Sequence, residues 1–482
     1  MTESRATVVT DPVRQRAIVF SIAFASFMVN LDTYIVNISL PTIAHSFQVG
    51  TDHVSWIVLS YALTISSTLL LFGRMGDIHG LRRFFLLGFG IFTVGSVLCG
   101  LSYSLFTLVA SRIIQGIGGS ILYALTPAMV PRYLPSNRQG AAYGITSTVA
   151  ALGITLGTPL GGILTGLVSW KLIFLVNIPF GVMAIWIGRW VLPPDSPAAD
   201  TKKRSSFDLA GTFLSAMASV LFIYALNQSH RLGFTSPVVS GFLCASLVLF
   251  LFFLIWERKI ESPLLDLRLF RNRAFTYGNV AAGLAVAFLA GHNFLIPFYL
   301  ELAKGLNTER AGLMILFYSV VYMMVSLAAG RTADRIDPRK LCITAMLGAS
   351  LAAFSFSFFL DRAGLWPVIG YFVMMGISYA MFFSPNNKII IGSAEPGTQG
   401  IVSGVLRLFT RIGMAVGVCL FETTFSFFRN HGDEIASSSS DSQGNLIIGF
   451  QYAYALGGAL CVAAVIFTFL SASAKRRSAA VP

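Results

Sequence analysis

The feature that most constrains this chain is a series of long apolar blocks. Many of them run for 18 or more residues with at most one charged residue, and about 20 such residues cross a bilayer as a helix. The chain is 55% hydrophobic and 11% charged, whereas a soluble domain carries about 25% charged residues. Soluble helices also alternate polar and apolar faces, and these blocks do not. The blocks therefore predict an all-α integral membrane protein with many spans.

The apolar blocks divide into fourteen predicted spans. Their approximate positions are 17–44, 54–73, 84–102, 105–130, 139–166, 170–192, 208–228, 237–256, 274–300, 310–330, 341–360, 365–391, 400–428 and 446–474. An even number of spans puts both termini on the same side. Of the 34 Lys and Arg residues, 24 then lie in segments on that side, six lie on the other and four lie within spans. Because basic residues accumulate on the cytoplasmic side, both termini are predicted to be cytoplasmic.

The basic charge and the cysteines exclude other classes of protein. A nucleic-acid-binding protein would gather its basic residues on a solvated domain, but the net charge of +13 is spread over short segments between apolar blocks. We therefore expect no nucleic-acid partner. The five cysteines lie in or beside the blocks without metal-ligand spacing. The chain has no P-loop, HExxH or CxxC motif, so we expect no metal, no cofactor and no enzymatic activity.

A short charged segment occurs twice in the chain. Residues 73–83 read GRMGDIHGLRR and residues 330–340 read GRTADRIDPRK, each after the second span of six. Many transporters are built from such duplicated halves. We therefore predict a six-helix half in 1–192, a linker with two extra spans in 193–273, and a second half in 274–482. The segment is predicted either to set topology or to form a conformational latch through Gly73, Asp77, Arg82, Arg83 and Asp334.

Asp32 and Arg112 are the strongest candidates for a functional pair. A carboxylate or guanidinium within a span is costly and is a functional hypothesis by default, and both residues are predicted at a similar depth. Burial favours the neutral form of a carboxyl group, and a nearby cation favours the charged form. A carboxyl group under both influences can load and release a proton. The alternative is a structural ion pair. Gln115 follows Arg112 by three residues and shares its helix face.

Other polar residues in the spans are weaker candidates. Glu301 and Glu422 are predicted near the outer ends of their spans, where each side chain reaches water. Arg407 and Arg411 share one helix face and meet either an anionic group or the aqueous surface. His292 is predicted to be structural, although a histidine within a span can titrate.

Several motifs resemble those of the major facilitator superfamily, and within it the fourteen-span drug:proton antiporters. They are LDTYIVNISLP (31–41), Trp56 with Tyr61, the 73–82 loop, RIIQGIGG (112–119), WKLIFLVNIPFG (170–181) and ESPLLDLRLFRNRAF (261–275). The fifth span carries GTPLGG (157–162), similar to that family's GPxxGG with the proline one place late. Its motif residues are Gly153, Gly157, Pro159, Gly161 and Gly162. Glycines at four-residue spacing let two helix backbones approach closely.

The resemblance implies a rocker-switch exporter in which Asp32 and Arg112 take part in proton coupling. We predict proton-driven export of amphipathic, often cationic small molecules by a monomer in a bacterial inner membrane. The alternatives are export of one endogenous metabolite, lipid or amino acid, or a receptor that does not transport. The predicted substrate cavity comprises Tyr34, Asn37, Tyr61, Gln115, His292, Asn293, Tyr379 and Arg407.

Overall fold

The computed structural model describes residues 9, 11–195, 208–232, 236–260, 267–360, 364–393, 399–430 and 442–471, and these form helices and short connections. The helices in the first part of the chain are α1 (Pro12–Ile35), α2 (Leu40–Phe47), α3 (Thr51–His79), α4 (Leu81–Gly100), α5 (Leu105–Tyr133), α6 (Ser136–Leu167), α7 (Leu172–Leu175) and α8 (Asn177–Val191). The later helices are α9 (Leu209–Leu232), α10 (Pro237–Glu257), α11 (Arg273–Phe298), α12 (Thr308–Arg335), α13 (Pro338–Phe359), α14 (Leu365–Ile391), α15 (Gln399–Asn430) and α16 (Ser442–Leu470).

A helical segment coincides with each of the fourteen predicted spans. Within the described ranges, 11 helices are long and apolar enough to cross a membrane. The all-helical membrane architecture is therefore confirmed, while fourteen crossings stay a prediction. The three helical segments outside that set are α3, α9 and α15.

Two predicted spans are interrupted where a proline removes a backbone donor. A 3-10 turn, Asn37–Ser39, separates α1 from α2, because Pro41 cannot donate to the Asn37 carbonyl one helical turn before it. In the same way Pro179 cannot donate to Leu175, the last residue of α7. Each of these spans is therefore two helical pieces rather than the continuous helix predicted. The second pieces begin at Leu40 and Asn177.

Side-chain caps and prolines set several helix starts. Asp11 accepts a hydrogen bond from the Val13 amide at the start of α1, and Ser104 with Thr107 forms a reciprocal capping box at α5. Asn272 and Asn307 cap α11 and α12 as Asp11 caps α1, because their side chains accept hydrogen bonds from amides of the first turn. These caps satisfy amides that have no partner within the helix, so the sequence determines where each of these helices begins.

The described helices form two compact units. The first contains α1, α2, α3 from Trp56 onward, and α4 to α8. The second contains α10 to α16, and the division falls within α9, between Met217 and Ala218. The first five residues of α3 group with the second unit. The predicted boundaries of a separate central segment, 193–273, stay a prediction.

In each unit, glycines let one pair of helices pack closely. In the first, α6 lies against α1, and a methyl group at Gly157 would lie 2.9 Å from Tyr34 Cβ. In the second, α15 lies against α11, and a methyl group at Gly413 would meet the Gly283 backbone. Because no side chain stands between the backbones at these glycines, each helix pair packs at short range.

Candidate functional site

The polar centre of the first unit is an ion pair between Asp32 and Arg112. Arg112 Nη1 donates to Asp32 Oδ2 at 2.6 Å, and the two residues are 0% and 1% exposed. Asp32 lies on α1 and Arg112 on α5. Because burial removes water from both groups, each depends on the other for compensation of its charge.

Two amides complete the coordination of the Asp32 carboxylate. Its Oδ1 atom accepts hydrogen bonds from Gln115 Nε2 at 2.8 Å and from Asn177 Nδ2 at 3.0 Å. Gln115 also accepts from Arg112 Nη1 at 2.6 Å and donates to Ser96 Oγ at 2.8 Å. Both carboxylate oxygens are thus engaged, and four helices contribute to one buried network.

Arg112 is held by two further groups on α3. Its Nε atom donates to the Ile57 carbonyl at 3.2 Å, and its guanidinium lies 3.9 Å from the centre of the Tyr61 ring. A cation over an aromatic face is stabilised electrostatically, the more so away from water. These contacts stabilise the charged guanidinium independently of Asp32. Arg112 therefore keeps part of its stabilisation if the carboxylate loses its charge.

Glycines make the convergence of these helices possible. A methyl group at Gly95 would lie 2.6 Å from the backbone of Gln115, so α4 and α5 meet at the residue that bridges the pair. On α6, methyl groups at Gly153 and Gly157 would lie 2.6 Å from the Phe27 carbonyl oxygen and 3.1 Å from the Leu31 carbonyl oxygen. A methyl group at Gly161 would meet the next turn of α1. The predicted glycine motif therefore faces α1 on both sides of Asp32.

The other members of that motif are also buried. Pro159 lies inside α6, and Gly162 follows Gly161 within the same helix. Tyr34 is half-buried beside Gly157, and Asn37 is 7% exposed in the 3-10 turn. These residues lie around the Asp32 end of α1.

The second unit has a different polar centre. His292 is 0% exposed, and its Nδ1 atom lies 3.1 Å from the hydroxyl groups of both Tyr371 and Tyr454. The ring of Phe288 stacks on His292 at a centroid distance of 6.1 Å, and Tyr379 stacks on the same phenylalanine. The predicted residues His292 and Tyr379 thus belong to one aromatic core.

Two acidic residues occupy different surroundings in the second unit. The prediction that Glu422 reaches water is wrong, because the side chain is 0% exposed and accepts a hydrogen bond from Ser426 at 2.7 Å. The reason is that α15 packs between neighbouring helices at this level, where Phe421 meets Gly291 of α11 and Phe425 meets Gly449 of α16. Glu301 is half-buried in a π-helical turn, Tyr299–Ala303, that follows α11.

The remaining predicted cavity residues of the second unit also lie on α11 and α15. Asn293 is 8% exposed. Arg407 is half-buried, and Arg411, one turn later on α15, is 5% exposed. Whether these residues face a substrate stays a prediction.

The predicted latch is mostly helical. Residues up to His79 belong to α3, and Gly80, with a φ of 103°, is the single residue between α3 and α4. Arg82 donates to the Arg189 carbonyl at 2.6 Å at the end of α8, and Asp195 accepts hydrogen bonds from the amides of Arg82 and Arg83 at 3.0 Å.

The other three predicted latch residues lie on α3 and α12. Gly73 lies within α3. The side chains of Asp77 and Asp334 fall outside the described part of the structure, and their latch role stays a prediction.

Asn177 and Ser96 are residues of the site that sequence reasoning missed. Both are neutral, so neither carries the energetic penalty that identifies a charged residue in a span. The available signal for Asn177 was its position at a break before Pro179.

Comparisons with known proteins agree with this architecture. The chain matches the Major Facilitator Superfamily over residues 22–418. It is 32% identical over 452 residues, 93% of this chain and 95% of the relative, to the riboflavin transporter RibZ of Clostridioides difficile. It is 29% identical over 394 residues, 81% of this chain and 72% of the relative, to the multidrug resistance protein Stp of Mycobacterium tuberculosis.

Solved structures share the fold at low identity. A bacterial homolog of the human lysosomal transporter Spinster aligns with a TM-score of 0.69 and 16% identity over 96% of this chain and 98% of that one. The xylose transporter XylE from Escherichia coli aligns with a TM-score of 0.62 and 14% identity over 94% and 95%. At such identities the likeness extends to the fold alone.

Proposed function

The chain belongs to the major facilitator superfamily, and we propose that it is a proton-coupled exporter of amphipathic, often cationic small molecules. The observation that carries this proposal is the buried Asp32–Arg112 pair, 2.6 Å between Oδ2 and Nη1. Acidic residues are retained inside membrane spans where they bind ions, protons or substrates. The family is one of multi-pass membrane transporters, and multidrug resistance proteins are among the relatives of this chain.

Protonation of Asp32 is the proposed coupling step. A proton on the carboxyl group removes its charge, so the bond to Arg112 loses the attraction between two opposite charges, although the guanidinium keeps its own charge. The protonated oxygen can no longer accept every hydrogen bond that the carboxylate accepts from Gln115 and Asn177. The network therefore has two arrangements, one for each protonation state of Asp32. A transport cycle that alternates between them moves one proton in each cycle.

Arg112 keeps its other partners in both states of this cycle. The Ile57 carbonyl and the Tyr61 ring hold the guanidinium without the carboxylate. When Asp32 is protonated, the guanidinium is therefore not left as an isolated buried charge. The free-energy change on protonation is the difference between two buried arrangements of the same network. We further propose that both termini are cytoplasmic, that the protein works as a monomer in the bacterial inner membrane, and that the proton gradient is its energy source.

A dedicated carrier of one metabolite is the second candidate. The observation that favours it is the 32% identity to a riboflavin transporter over nearly the whole of both chains. Riboflavin has a planar, uncharged ring system with a polyhydroxyl chain, so such a carrier would discriminate it from lipophilic cations. The Asp32–Arg112 pair is compatible with either substrate, because proton coupling does not depend on the transported molecule.

The deciding experiment is transport in proteoliposomes under an imposed pH gradient, with ethidium and riboflavin as separate substrates. We expect ethidium to move with the gradient, to stop when the gradient is collapsed, and to slow at least tenfold in Asp32→Asn. Asp11→Asn is the matched control, because this exposed residue can cap α1 equally well as an asparagine.

Each outcome of this experiment selects between the candidates. Transport of riboflavin but not ethidium supports the dedicated carrier. Gradient-driven ethidium transport by a folded Asp32→Asn protein at the native rate contradicts the role of Asp32. If neither compound moves although the protein is folded and inserted, both substrate assignments fail.

A further inference from the structure

A groove of about 410 Å³ lies between α13 and α14 in the second unit. Its volume is within the range of about 300–1,000 Å³ that is typical of small-molecule sites. It shares no residue with the Asp32 network, which belongs to the first unit. The lining residues are Leu351, Ala352, Ser355, Phe356, Phe359, Pro367, Gly370, Tyr371 and Met374.

The two helices approach closely toward the start of α13. There Cys342 Sγ donates to the Phe382 carbonyl at 3.6 Å, and a methyl group at Gly348 would lie 3.0 Å from Ser378 Oγ. Further along, a methyl group at Gly370 would have no neighbour within 4 Å. The missing side chain at Gly370 therefore leaves open space beside the aromatic floor of the groove.

The floor of the groove is formed by two aromatic rings, Phe356 and Tyr371, that are each 5% exposed. The rings of Phe356 and Tyr371 stack with their centroids 4.1 Å apart and an interplanar angle of 11°. The Tyr371 hydroxyl lies 3.1 Å from His292 Nδ1, which anchors the ring from behind. An aromatic ligand that packs against such a floor gains apolar contact area and edge-to-face ring contacts.

The remaining lining chemistry restricts the ligand further. Every residue that lines the groove is uncharged, so a charged ligand would lose its hydration without gaining a partner. Ser355 is exposed and offers a hydroxyl donor. The lining therefore suits a neutral ligand that has one hydrogen-bond acceptor.

The groove opens on a surface that faces the bilayer. Its rim residues Leu351 and Phe359 are 64% and 54% exposed, and Trp366, beside Pro367, is 82% exposed. All lie on helices that are long and apolar enough to span a membrane. A lipophilic molecule that is dissolved in the bilayer reaches this rim without crossing water.

We propose that the α13–α14 groove is a binding site for a neutral, lipophilic aromatic molecule that carries a hydrogen-bond acceptor and is taken from the bilayer. The ligand lies against the rings of Phe356 and Tyr371, and Ser355 donates to its acceptor. This site does not depend on the proposed export activity, because it shares no residue with the proton-coupling network.

Photolabelling with benzophenone tests the site, since this neutral two-ring ketone is both a fitting ligand and a crosslinker. The full-length protein in lipid nanodiscs is irradiated with benzophenone, and the adducts are located by peptide mass spectrometry. We expect saturable labelling on 351–359 and 367–374. Gly370→Leu should reduce this labelling at least tenfold, because its side chain enters the open space. Gly241→Leu is the matched control, since Gly241 on α10 also has no neighbour within 4 Å.

Two further measurements make the result decisive. Ser355→Ala should weaken binding about five-fold through the loss of one hydrogen bond, and Asp32→Asn should label like the native protein even if it no longer transports. Labelling that does not saturate, or that Gly370→Leu leaves unchanged, overturns the proposal. Labelling by a phospholipid with a photoreactive acyl chain, undiminished by excess benzophenone, also overturns it and makes the groove a lipid contact.

Discussion

Asp32 Oδ2 and Arg112 Nη1 lie 2.6 Å apart on two different helices, and both residues are almost completely buried. This pair joins α1 to α5, and Gln115 and Asn177 bond to the same carboxylate. The dependence of each charge on the other has consequences for stability as well as for transport.

Removing only the cation should be more damaging than removing both charges. Arg112→Ala leaves Asp32 charged and buried, which costs about 3–5 kcal/mol in soluble proteins. The double variant Asp32→Asn/Arg112→Ala should recover part of this loss. Thermal unfolding in detergent measures the difference, with the exposed Arg138→Ala as the control. A double variant less stable than Arg112→Ala would contradict the dependence.

Asn177→Ala should give an intermediate loss of transport. The substitution removes one hydrogen bond to a charged group, which contributes about 1.5–3 kcal/mol, while the bonds from Arg112 and Gln115 remain. We expect a transport rate between those of the native protein and Asp32→Asn. The control is Asn30→Ala, because Asn30 lies on α1 near Asp32 but donates to the Ser26 carbonyl at 2.7 Å. Equal effects of the two substitutions would argue against a specific role for Asn177.

Gly157→Ala should destabilise the first unit. Its methyl group would lie 2.9 Å from Tyr34 Cβ and 3.1 Å from the Leu31 carbonyl oxygen, and such overpacking costs about 1–3 kcal/mol. Gly90→Ala on α4 has no neighbour within 4 Å and should be neutral or stabilising by up to about 1 kcal/mol. Chemical denaturation of the two variants under identical conditions measures their free energies of unfolding. Equal free energies would contradict close packing of α1 against α6 at Gly157.

Gly80→Ala should destabilise the α3–α4 connection. Gly80 has a φ of 103°, and the position of its missing side chain is occupied by the carboxylate of Asp195. Gly73→Ala is the control from the same segment, because its methyl group would make an ordinary contact at 3.8 Å with Ala124. We expect reduced thermal stability for Gly80→Ala alone, and similar stability of both variants would refute this interpretation.

Sequence patterns were most informative where the membrane imposes a large penalty. The apolar blocks predicted the helices because only closed backbone hydrogen bonding is tolerated in the bilayer core. Asp32 and Arg112 were identified for a similar reason, since a charge is costly there.

Neutral polar residues and tertiary packing were harder to predict. Asn177 and Ser96 cost little to bury once bonded, so composition does not reveal them. The burial of Glu422 depends on the packing of α15 against α11 and α16. The helix breaks at Asn37 and Val176 depend on which carbonyl a later proline leaves without a donor.

The 3-10 turn after α1 divides one membrane segment into two helical pieces. Asp32 lies five residues before Asn37, on the piece that α6 holds through its glycines. Beyond the turn, the short helix Leu40–Phe47 begins its own backbone hydrogen bonding, and the Ser39–Thr165 hydroxyl contact at 2.6 Å ties the junction to α6. The single helix α6 therefore braces both pieces of this segment by two kinds of contact, close backbone packing beside the carboxylate and a hydroxyl pair at the break.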